Sequence, residues 1–394
     1  MFSEKVVKSL GKSSWIRAMF EQGEKLRKIY GDDNVFDFSI GNPAGEPPEE
    51  VRQALKDIVM ENLPGIHRYM SNAGHFDIRE KIAAGIKNET GVELKADNII
   101  MTCGAAGGLN VALKALLNPQ EEVIVFAPYF VEYLFYIDNH GGVPVVVPTD
   151  SKTFEPDVEV LNKYITPKTK AIIINSPNNP TGVIYSQEVL KKVADLLSEK
   201  EKEFGTNIFV ISDEPYAKIV YDGVKVPSIL KIFKNSIAVN SFSKSLALPG
   251  ERIGYIAVNN AIDDVNVLIN AMVFCNRTLG FVNAPALIQK VLSRSYGACA
   301  DVESYKEKRD ILYNHLTRIG FECIKPQGAF YLFPKALIDD DVEFTQEALK
   351  YNLLLVPGRG FGMPGYFRIS YSVDMKTVKN SLPAFEKLAE KYRG

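Results

Sequence analysis

The chain has 394 residues and a formal net charge of −2, with 46% hydrophobic and 24% charged residues. This length and composition are typical of a globular protein with two domains, or with one large α/β domain and an appendage. Since no long run of either charge occurs, the sequence predicts no binding to nucleic acid or to an acidic membrane surface.

The N-terminal residues and the cysteines indicate in which cellular compartment the protein is expected. Residues 1–31 carry charge throughout and lack the apolar core of a signal peptide, and no run of about eighteen apolar residues occurs. The four cysteines are scattered without a C-x-x-C pair, and the four histidines do not stand in matching positions. We therefore expect reduced thiols, no metal site and a cytoplasmic protein.

Six short apolar runs predict β-strands in the middle of the sequence. They are "NIIMT" (98–102), "EEVIVFAP" (121–128), "VPVVVP" (143–148), "KAIIINSP" (170–177), "NIFVISD" (207–213) and "NSIAVNSFS" (235–243). Between them lie helical patterns such as "SQEVLKKVADLLSEKEKEFG" (186–205), whose apolar residues recur at intervals of three and four. This alternation predicts an α/β fold in which helices cover both faces of a mostly parallel sheet.

After residue 285 the pattern changes to long charged helical stretches and then to two short strands, "GAFYLFP" (328–334) and "GYFRISYS" (365–372). This change predicts a second, smaller α+β domain. We therefore expect a large domain over 41–285 and a small C-terminal domain over 286–394. Residues 1–40 are expected to form an N-terminal arm or helix that joins the small domain.

Several of the predicted strands end in a polar or glycine-rich cluster. These clusters are "TCGAAGG", "APYF", "NSPNNPTG", "SDEPY" and "SFSK". Ligands of open parallel sheets bind outside the carboxyl ends of the strands. The clusters are therefore expected to surround one site.

The stretch "TCGAAGGLNVALKALL" (102–117) predicts a strand, a glycine-rich turn and a helix. Such a turn exposes backbone N–H groups and a helix N-terminus to an anion, although small residues there are equally common for steric reasons. It lacks the G-K-[ST] ending of a nucleoside-triphosphate loop, which argues against an ATPase. The literal G-x-G-x-x-G at 360–365 contains a proline and leads into a strand, so we interpret it as a turn.

Three charged residues in these segments have both a functional and a structural interpretation. Asp213 ends a predicted strand, where a buried carboxylate needs a cation or a hydrogen-bond donor; alternatively it caps the next helix. Arg368 alternates with apolar residues and could bind a carboxylate through two N–H groups or form a structural ion pair. Lys244, in "NSFSKSLALPGERIG" (240–254), would by itself be interpreted as a solvated loop lysine.

Taken together, the clusters resemble the class I/II aminotransferases, the pyridoxal-phosphate enzymes with the aspartate aminotransferase fold. The resemblance runs from "FSIGNPAGEPPEEV" (38–51) and "HRYMSNAGHFDIREKIA" (67–83) through "NSPNNPTG", "ISDEPY" and "SFSKSLALPGERIGY" to "PQGAFYLFP" (326–334) and "VPGRGFGMPGYFRISYS" (356–372). No single segment is decisive, but their joint order and spacing are specific. The resemblance implies transfer of an amino group from an L-amino acid to a 2-oxo acid by a ping-pong Schiff-base mechanism.

The resemblance also implies residue roles around pyridoxal 5′-phosphate. Lys244 would form the Schiff base with the cofactor and transfer the substrate proton. Asp213 would face the pyridine nitrogen and favour its protonated form, which makes the cofactor a better electron sink. Asn179 and Tyr216 would donate to the phenolic oxygen, and Tyr129 would stack on the ring.

The same resemblance implies how the phosphate and the substrate would be held. The phosphate ligands would be backbone N–H groups and side chains of Gly104, Ala105, Ala106, Ser241, Ser243 and Arg252. Tyr69 would reach the phosphate of a neighbouring subunit, which implies a homodimer with shared active sites. Arg368, with Asn179 and the backbone near Gly41, would bind the substrate α-carboxylate.

The substrate stays open at this stage. A dicarboxylate needs a second cation, and Ala106 leaves the phosphate loop without one, so Arg277 and His67 are candidate substitutes. The resemblance favours 2-oxoglutarate as acceptor, with aspartate, alanine or aromatic donors. The C–S lyases of the same fold share every cofactor residue. A regulator that joins this fold to a DNA-binding domain is disfavoured, because the aminotransferase pattern begins by residue 38.

Overall fold

The computed structural model describes residues 2–10 and 15–393. Its α-helices are α1 (Glu4–Leu10), α2 (Trp15–Tyr30), α3 (Glu49–Glu61), α4 (Phe76–Thr90), α5 (Gly104–Leu116), α6 (Glu132–Asn139), α7 (Val158–Asn162), α8 (Gln187–Phe204), α9 (Ile229–Ile232), α10 (Phe242–Ser245), α11 (Val265–Thr278), α12 (Ala286–Ser295), α13 (Val302–Arg318), α14 (Asp341–Ala348) and α15 (Met375–Arg393). Its strands are β1 (Phe36–Asp37), β2 (Ile99–Thr102), β3 (Glu122–Ala127), β4 (Val143–Pro148), β5 (Thr169–Asn175), β6 (Phe209–Asp213), β7 (Ser236–Ser241), β8 (Gly254–Val258), β9 (Tyr331–Leu332), β10 (Leu353–Leu354), β11 (Val356–Pro357) and β12 (Phe367–Ser370).

The large sheet has the strand order β2-β8-β7-β6-β5-β3-β4. Strands β3 to β7 pair in parallel, whereas β8 runs antiparallel to both β7 and β2. All six predicted strands are present, and the predicted α/β fold with a mostly parallel sheet is confirmed. β8 was not among the predicted strands. It lies between β7 and β2, and it thereby joins β2, which leads into α5, to the rest of the sheet.

Alternate residues of the central strands pack on opposite faces of the large sheet, as the period of a strand requires. Val125 and Ile173 belong to a core that includes residues of α5 and α11. Ile124 and Ile172, one position earlier in each strand, belong to a core that includes residues of α8. Burial on both faces explains why these strands are continuous Val/Ile runs.

Local signals explain the bounds of α8, which was predicted over 186–205. The side chain of Ser186 accepts a hydrogen bond from the backbone N–H of Val189 at the N-terminus. At the other end Gly205 has φ 66°, a left-handed conformation that glycine adopts without steric penalty. The helix therefore begins and ends within one residue of the prediction.

The C-terminal part contains a small antiparallel sheet in the order β11-β12-β9. Its strands are shorter than predicted, since β9 has two residues and β12 has four. β1 pairs in parallel with β10, so the N-terminal segment contacts the C-terminal part. α12 has buried residues in a core shared with the large sheet, which favours a boundary after α12; the domain limits at 41 and 286 stay predictions.

In the described part of the chain, no helix combines the length and the apolar character that are needed to cross a membrane.

Candidate active site

A cavity of about 260 Å³ lies at the carboxyl ends of the large sheet. Asn175, Asp213 and Ser241, the last residues of β5, β6 and β7, line it together with the first turn of α5. The predicted site residues that line it are Gly41, Ala105, Ala106, Asn179, Asp213, Tyr216, Ser241, Ser243, Lys244, Arg252 and Arg368. The fold therefore brings into one cavity residues that are widely separated in the sequence.

Lys244 projects from the short helix α10, directly after β7. Its Nζ donates a hydrogen bond of 2.5 Å to the carbonyl oxygen of Gly41 and lies 5.6 Å from the centre of the Phe330 ring. Burial, followed by the positive charges of Arg368 and Arg252, lowers the pKa of Lys244 to about 8. An amine with this pKa is partly neutral near neutral pH, so it can act as a nucleophile and as a base.

Asp213 is 5% exposed at the end of β6. Its Oδ2 accepts a 2.5 Å hydrogen bond from the hydroxyl of Tyr133, whereas its buried Oδ1 has no hydrogen-bond partner. Burial raises the pKa of the Asp213 carboxyl to about 6, and the hydrogen bond from Tyr133 acts in the opposite direction. The carboxylate therefore retains the capacity to bind a cation or an N–H donor.

The first turn of α5 also lines the cavity. No side chain caps this helix, and its first residue, Gly104, has φ 72°. A Cβ added at Gly104 would lie 2.7 Å from Nη2 of Arg252, so glycine leaves space for that guanidinium group. The hydroxyl groups of Ser241 and Ser243, which are 2.7 Å apart, also line the cavity. Free helical N–H groups, hydroxyls and a guanidinium suit a phosphate.

Arg368 lies on β12 and is 2% exposed. Its Nη1 donates to Oδ1 of Asn179 at 3.0 Å, and its Nη2 donates to the carbonyl oxygen of Ser39 at 2.6 Å. Its guanidinium carbon lies 4.7 Å from the centre of the Tyr331 ring. The buried Nε has no hydrogen-bond partner. No ion pair to a carboxylate is recorded for Arg368 among the described residues, so it can bind an external carboxylate.

Five predicted residues, Gly104, Tyr129, Tyr69, Arg277 and His67, do not line the cavity, although Gly104 directly precedes the lining residue Ala105. Tyr129 lies against Gly362, where an added Cβ would be 2.5 Å from its ring, and the next residue, Phe130, lines the cavity instead. Tyr69 is 90% exposed. Arg277 and His67, the candidate second cations, are exposed and are not among the lining residues.

The cavity also contains residues that the sequence analysis did not single out. They are Leu109, Phe130, Tyr133, Tyr136, Asn175, Pro215, Pro249 and Tyr331. Phe130 stands in the quoted motif "APYF", one residue after Tyr129, whereas Tyr331 stands in "PQGAFYLFP", a motif in which no residue was given a role. Tyr133 stands three positions after Phe130, and the centres of their rings are 5.5 Å apart.

No group of three or more His, Cys, Asp or Glu side chains that could hold a metal ion lies within residues 2–10 and 15–393.

Comparisons with known proteins give matches that extend over nearly the whole chain. The family model for aminotransferase class I and II matches residues 33–385. A probable aspartate/prephenate aminotransferase from Thermus aquaticus is 33% identical, over 96% of this chain and 97% of that protein. An aromatic-amino-acid aminotransferase from Thermococcus litoralis is 32% identical, over 92% of this chain and 95% of that protein. The crystal structure of an amino transferase from Eubacterium rectale has a TM-score of 0.97 and 45% identity, and the match covers 100% of both chains.

Proposed function

Because the chain belongs to the class I and II aminotransferase family, we propose that it moves the amino group of an L-amino acid to a 2-oxo acid in the cavity described above. One observation carries this proposal. The amine of Lys244, whose pKa is lowered to about 8, shares the cavity with the unpaired carboxylate oxygen of Asp213 and the uncapped N-terminus of α5.

The family uses pyridoxal 5′-phosphate, and the chemistry of this cavity fits that cofactor. The uncapped first turn of α5 and the space left by Gly104 fit its phosphate. The partnerless Oδ1 of Asp213 fits a protonated pyridine nitrogen, because a buried carboxylate needs a cation or a donor. The amine of Lys244 fits its aldehyde. When bound, the cofactor would supply an electron sink for the charge that develops at the substrate Cα.

The residues that would hold the cofactor are those in and next to the cavity. Its phosphate would be held by the N–H groups and side chains of Gly104, Ala105, Ala106, Ser241, Ser243 and Arg252. Asn179 and Tyr216 would bind its phenolic oxygen. Because Phe130 lines the cavity and Tyr129 does not, Phe130 would be the ring against the cofactor in place of Tyr129. Lys244 would be the covalent anchor.

The chain's own residues have distinct tasks in the reaction. Arg368 would bind the substrate α-carboxylate through its remaining N–H groups and thereby orient the Cα–H bond. The Nζ of Lys244 would take the proton from the donor's Cα and deliver it to C4′ of the bound cofactor, and it would move a proton in the reverse direction when the 2-oxo acid is converted. Asp213, whose Oδ2 accepts a hydrogen bond from Tyr133, would keep a negative charge next to the pyridine nitrogen.

The donor and the acceptor are proposed at the level of class. We take 2-oxoglutarate as the acceptor and aspartate, alanine or aromatic amino acids as donors, since relatives are named for aspartate and aromatic substrates. The described residues that line the cavity include no Lys, Arg or His besides Lys244, Arg252 and Arg368. A second cation for a distal carboxylate would therefore come from another part of the assembly.

We also propose a homodimer with shared active sites, in which Tyr69 reaches the phosphate of the neighbouring subunit. Its 90% exposure leaves its side chain available to a partner. The scattered cysteines and the ordinary composition support a cytoplasmic location.

Replacement of Lys244 tests the proposal. We expect Lys244→Ala to lower turnover by about 10³-fold or more, because both the covalent anchor and the proton-transferring amine are lost. The measurement is the change in the cofactor's visible spectrum when single amino acids are added without an acceptor, followed by turnover with 2-oxoglutarate. Lys308→Ala is the matched control, since burial also lowers the pKa of Lys308 but this residue does not line the cavity.

Near-native turnover by Lys244→Ala would contradict the proposal. Release of ammonia or a thiol by the wild-type protein without any acceptor would instead identify a lyase of the same fold.

A further inference from the structure

Tyr331, the first residue of β9, lies where the substrate-binding and cofactor-binding parts of the cavity meet. It is 2% exposed and lines the cavity. The centre of its ring is 4.7 Å from the guanidinium carbon of Arg368, and its hydroxyl oxygen is 2.8 Å from that of Tyr216. One side chain therefore contacts both the arginine proposed to bind the substrate carboxylate and the tyrosine proposed to bind the cofactor.

The ring of Tyr331 helps to fix the guanidinium group of Arg368. The same guanidinium carbon lies 4.9 Å from the centre of the Phe361 ring, and hydrogen bonds to Asn179 and Ser39 use one N–H group on each terminal nitrogen. A buried guanidinium is attracted to an adjacent aromatic face, so these two rings restrict how it can tilt. Removal of the Tyr331 ring would leave a space into which the guanidinium can tilt, which would change the angle at which a carboxylate binds.

The hydroxyl of Tyr331 acts on the other side of the cavity. It packs against the backbone of Gly41, where an added Cβ would collide with its oxygen, and the carbonyl oxygen of Gly41 accepts from Nζ of Lys244. A tyrosine hydroxyl has a single proton to donate. If Tyr216 donates its proton to the phenolic oxygen of the cofactor, the proton in the bond between the two tyrosines must come from Tyr331.

We propose that Tyr331 is a positioning residue for amino-group transfer. Its ring holds Arg368 in the orientation that binds the substrate carboxylate, and its hydroxyl donates to Tyr216 and so directs the proton of Tyr216 toward the cofactor. This inference rests on the proposed function and deepens it, because it assigns two separable tasks to two parts of one side chain.

Two variants of the holoenzyme separate the tasks. Tyr331→Phe keeps the ring and removes the hydroxyl. We expect the donor KM to stay within about twofold, while the pH midpoint of the cofactor's visible absorbance change, measured without substrate, rises by about half a pH unit or more. The reason is that a weaker donor at Tyr216 stabilises the ionised phenolic oxygen less.

Tyr331→Leu removes the ring. We expect the donor KM to rise about tenfold, with a smaller change in kcat, because Arg368 loses the aromatic face that orients it. If the leucine variant does not accumulate as folded protein, Tyr331→Met replaces it, since methionine fills a similar volume without a ring.

Tyr371→Phe is the matched control. Tyr371 is fully buried beside the same small sheet, and its hydroxyl also contacts another tyrosine hydroxyl, that of Tyr221 at 3.4 Å. It does not line the cavity. If the loss of any buried tyrosine hydroxyl beside the small sheet disturbed the cavity, Tyr371→Phe would show the same effect. We expect instead that Tyr371→Phe changes neither the absorbance midpoint nor the donor KM.

The outcomes distinguish this inference from the proposed function. If the wild-type protein shows the absorbance band and exchanges amino groups, but Tyr331→Phe leaves the midpoint unchanged or the ring-less variant leaves the KM unchanged, the positioning role is wrong and the aminotransferase assignment stands. If the wild-type protein with added cofactor shows no such band, both fail.

Discussion

Asp213 is a buried carboxylate without a cationic partner in the protein itself. Burial raises the pKa of its carboxyl from the ordinary value of 3.8 to about 6. Between these two pH values the folded chain holds a proton that the unfolded chain has lost, so the stability of the cofactor-free protein falls as the pH rises through this interval. Well above pH 6 the carboxyl is ionised in both the folded and the unfolded chain, and the loss of stability of the cofactor-free protein has reached its maximum.

We expect Asp213→Asn to stabilise the cofactor-free protein at about pH 8, by on the order of 3 kcal/mol, because one pKa unit corresponds to about 1.4 kcal/mol. At about pH 3 or below the gain should nearly vanish, since the carboxyl is then mostly protonated in both states. Denaturant unfolding at the two pH values measures the difference. The same variant should lose most catalysis, because the pyridine nitrogen loses its anionic partner.

Asp341→Asn is the contrasting control. Asp341 is also fully buried, but it pairs with Arg359 through hydrogen bonds of 2.7 and 2.9 Å. Its replacement should destabilise the protein by about 1–3 kcal/mol. A stability loss in Asp213→Asn at the higher pH would show that the carboxylate has a compensating partner after all.

At the scale of elements, the amide side chains of Asn276, Asn283 and Gln289 hold the segment that carries Tyr69, and those of Asn276 and Gln289 are buried. Asn276 of α11 donates to the carbonyl oxygen of Asn72, and Asn283 donates to that of Ser71. Gln289 of α12 accepts from the backbone N–H of His75. The segment between α3 and α4 is therefore tied to α12, α11 and the connection between them.

We expect Asn276→Ala to weaken cofactor binding about tenfold. The substitution leaves the carbonyl oxygen of Asn72 without its hydrogen bond, at a cost of about 1–3 kcal/mol, and so loosens the segment that positions Tyr69. Equilibrium dialysis of the cofactor measures the effect. Asn259→Ala is the control, since Asn259 is a buried amide that donates to Leu230 and Phe233 in another part of the fold. Equal loss of cofactor affinity in both variants would argue against a specific role of this contact.

At the scale of the whole molecule, large apolar side chains are exposed on α3, α4 and α11 and near Tyr69. They include Val59, Met60, Tyr69, Phe76, Val267 and Phe274. Surface of this kind is available for burial against a partner chain. It supports the proposed homodimer, in which each cavity would be completed by the neighbouring chain.

We expect complementation between two defective chains. In a hybrid dimer of a Tyr69→Phe chain and a Lys244→Ala chain, one cavity contains Lys244 and receives an intact Tyr69 from the neighbouring chain. At this one site per dimer the cofactor affinity should be about equal to that of the wild type. Two affinity tags isolate the hybrid, and turnover against cofactor concentration measures the affinity. A hybrid as weak as the Tyr69→Phe homodimer would contradict shared sites.

The sequence by itself determined the α/β fold, because burial on both faces makes the strands continuous Val/Ile runs and the helices periodic. It also singled out most of the residues that line the cavity, since Asp213, Ser241 and Lys244 stand at or just after strand ends, and such ends meet at one edge of a parallel sheet. It did not predict β8, which runs antiparallel to its neighbours, and it predicted the small strands too long.

Only the tertiary structure decided which neighbouring aromatic residue enters the cavity, and it selected Phe130 over Tyr129. It also decided the partners of the site residues, such as Tyr133 on Asp213 and Tyr331 on Tyr216, which are separated by 80 and 115 positions in the chain. The physical reason is that periodicity specifies a face of an element, whereas a hydrogen bond or a ring contact depends on atomic positions that are set when distant elements pack together.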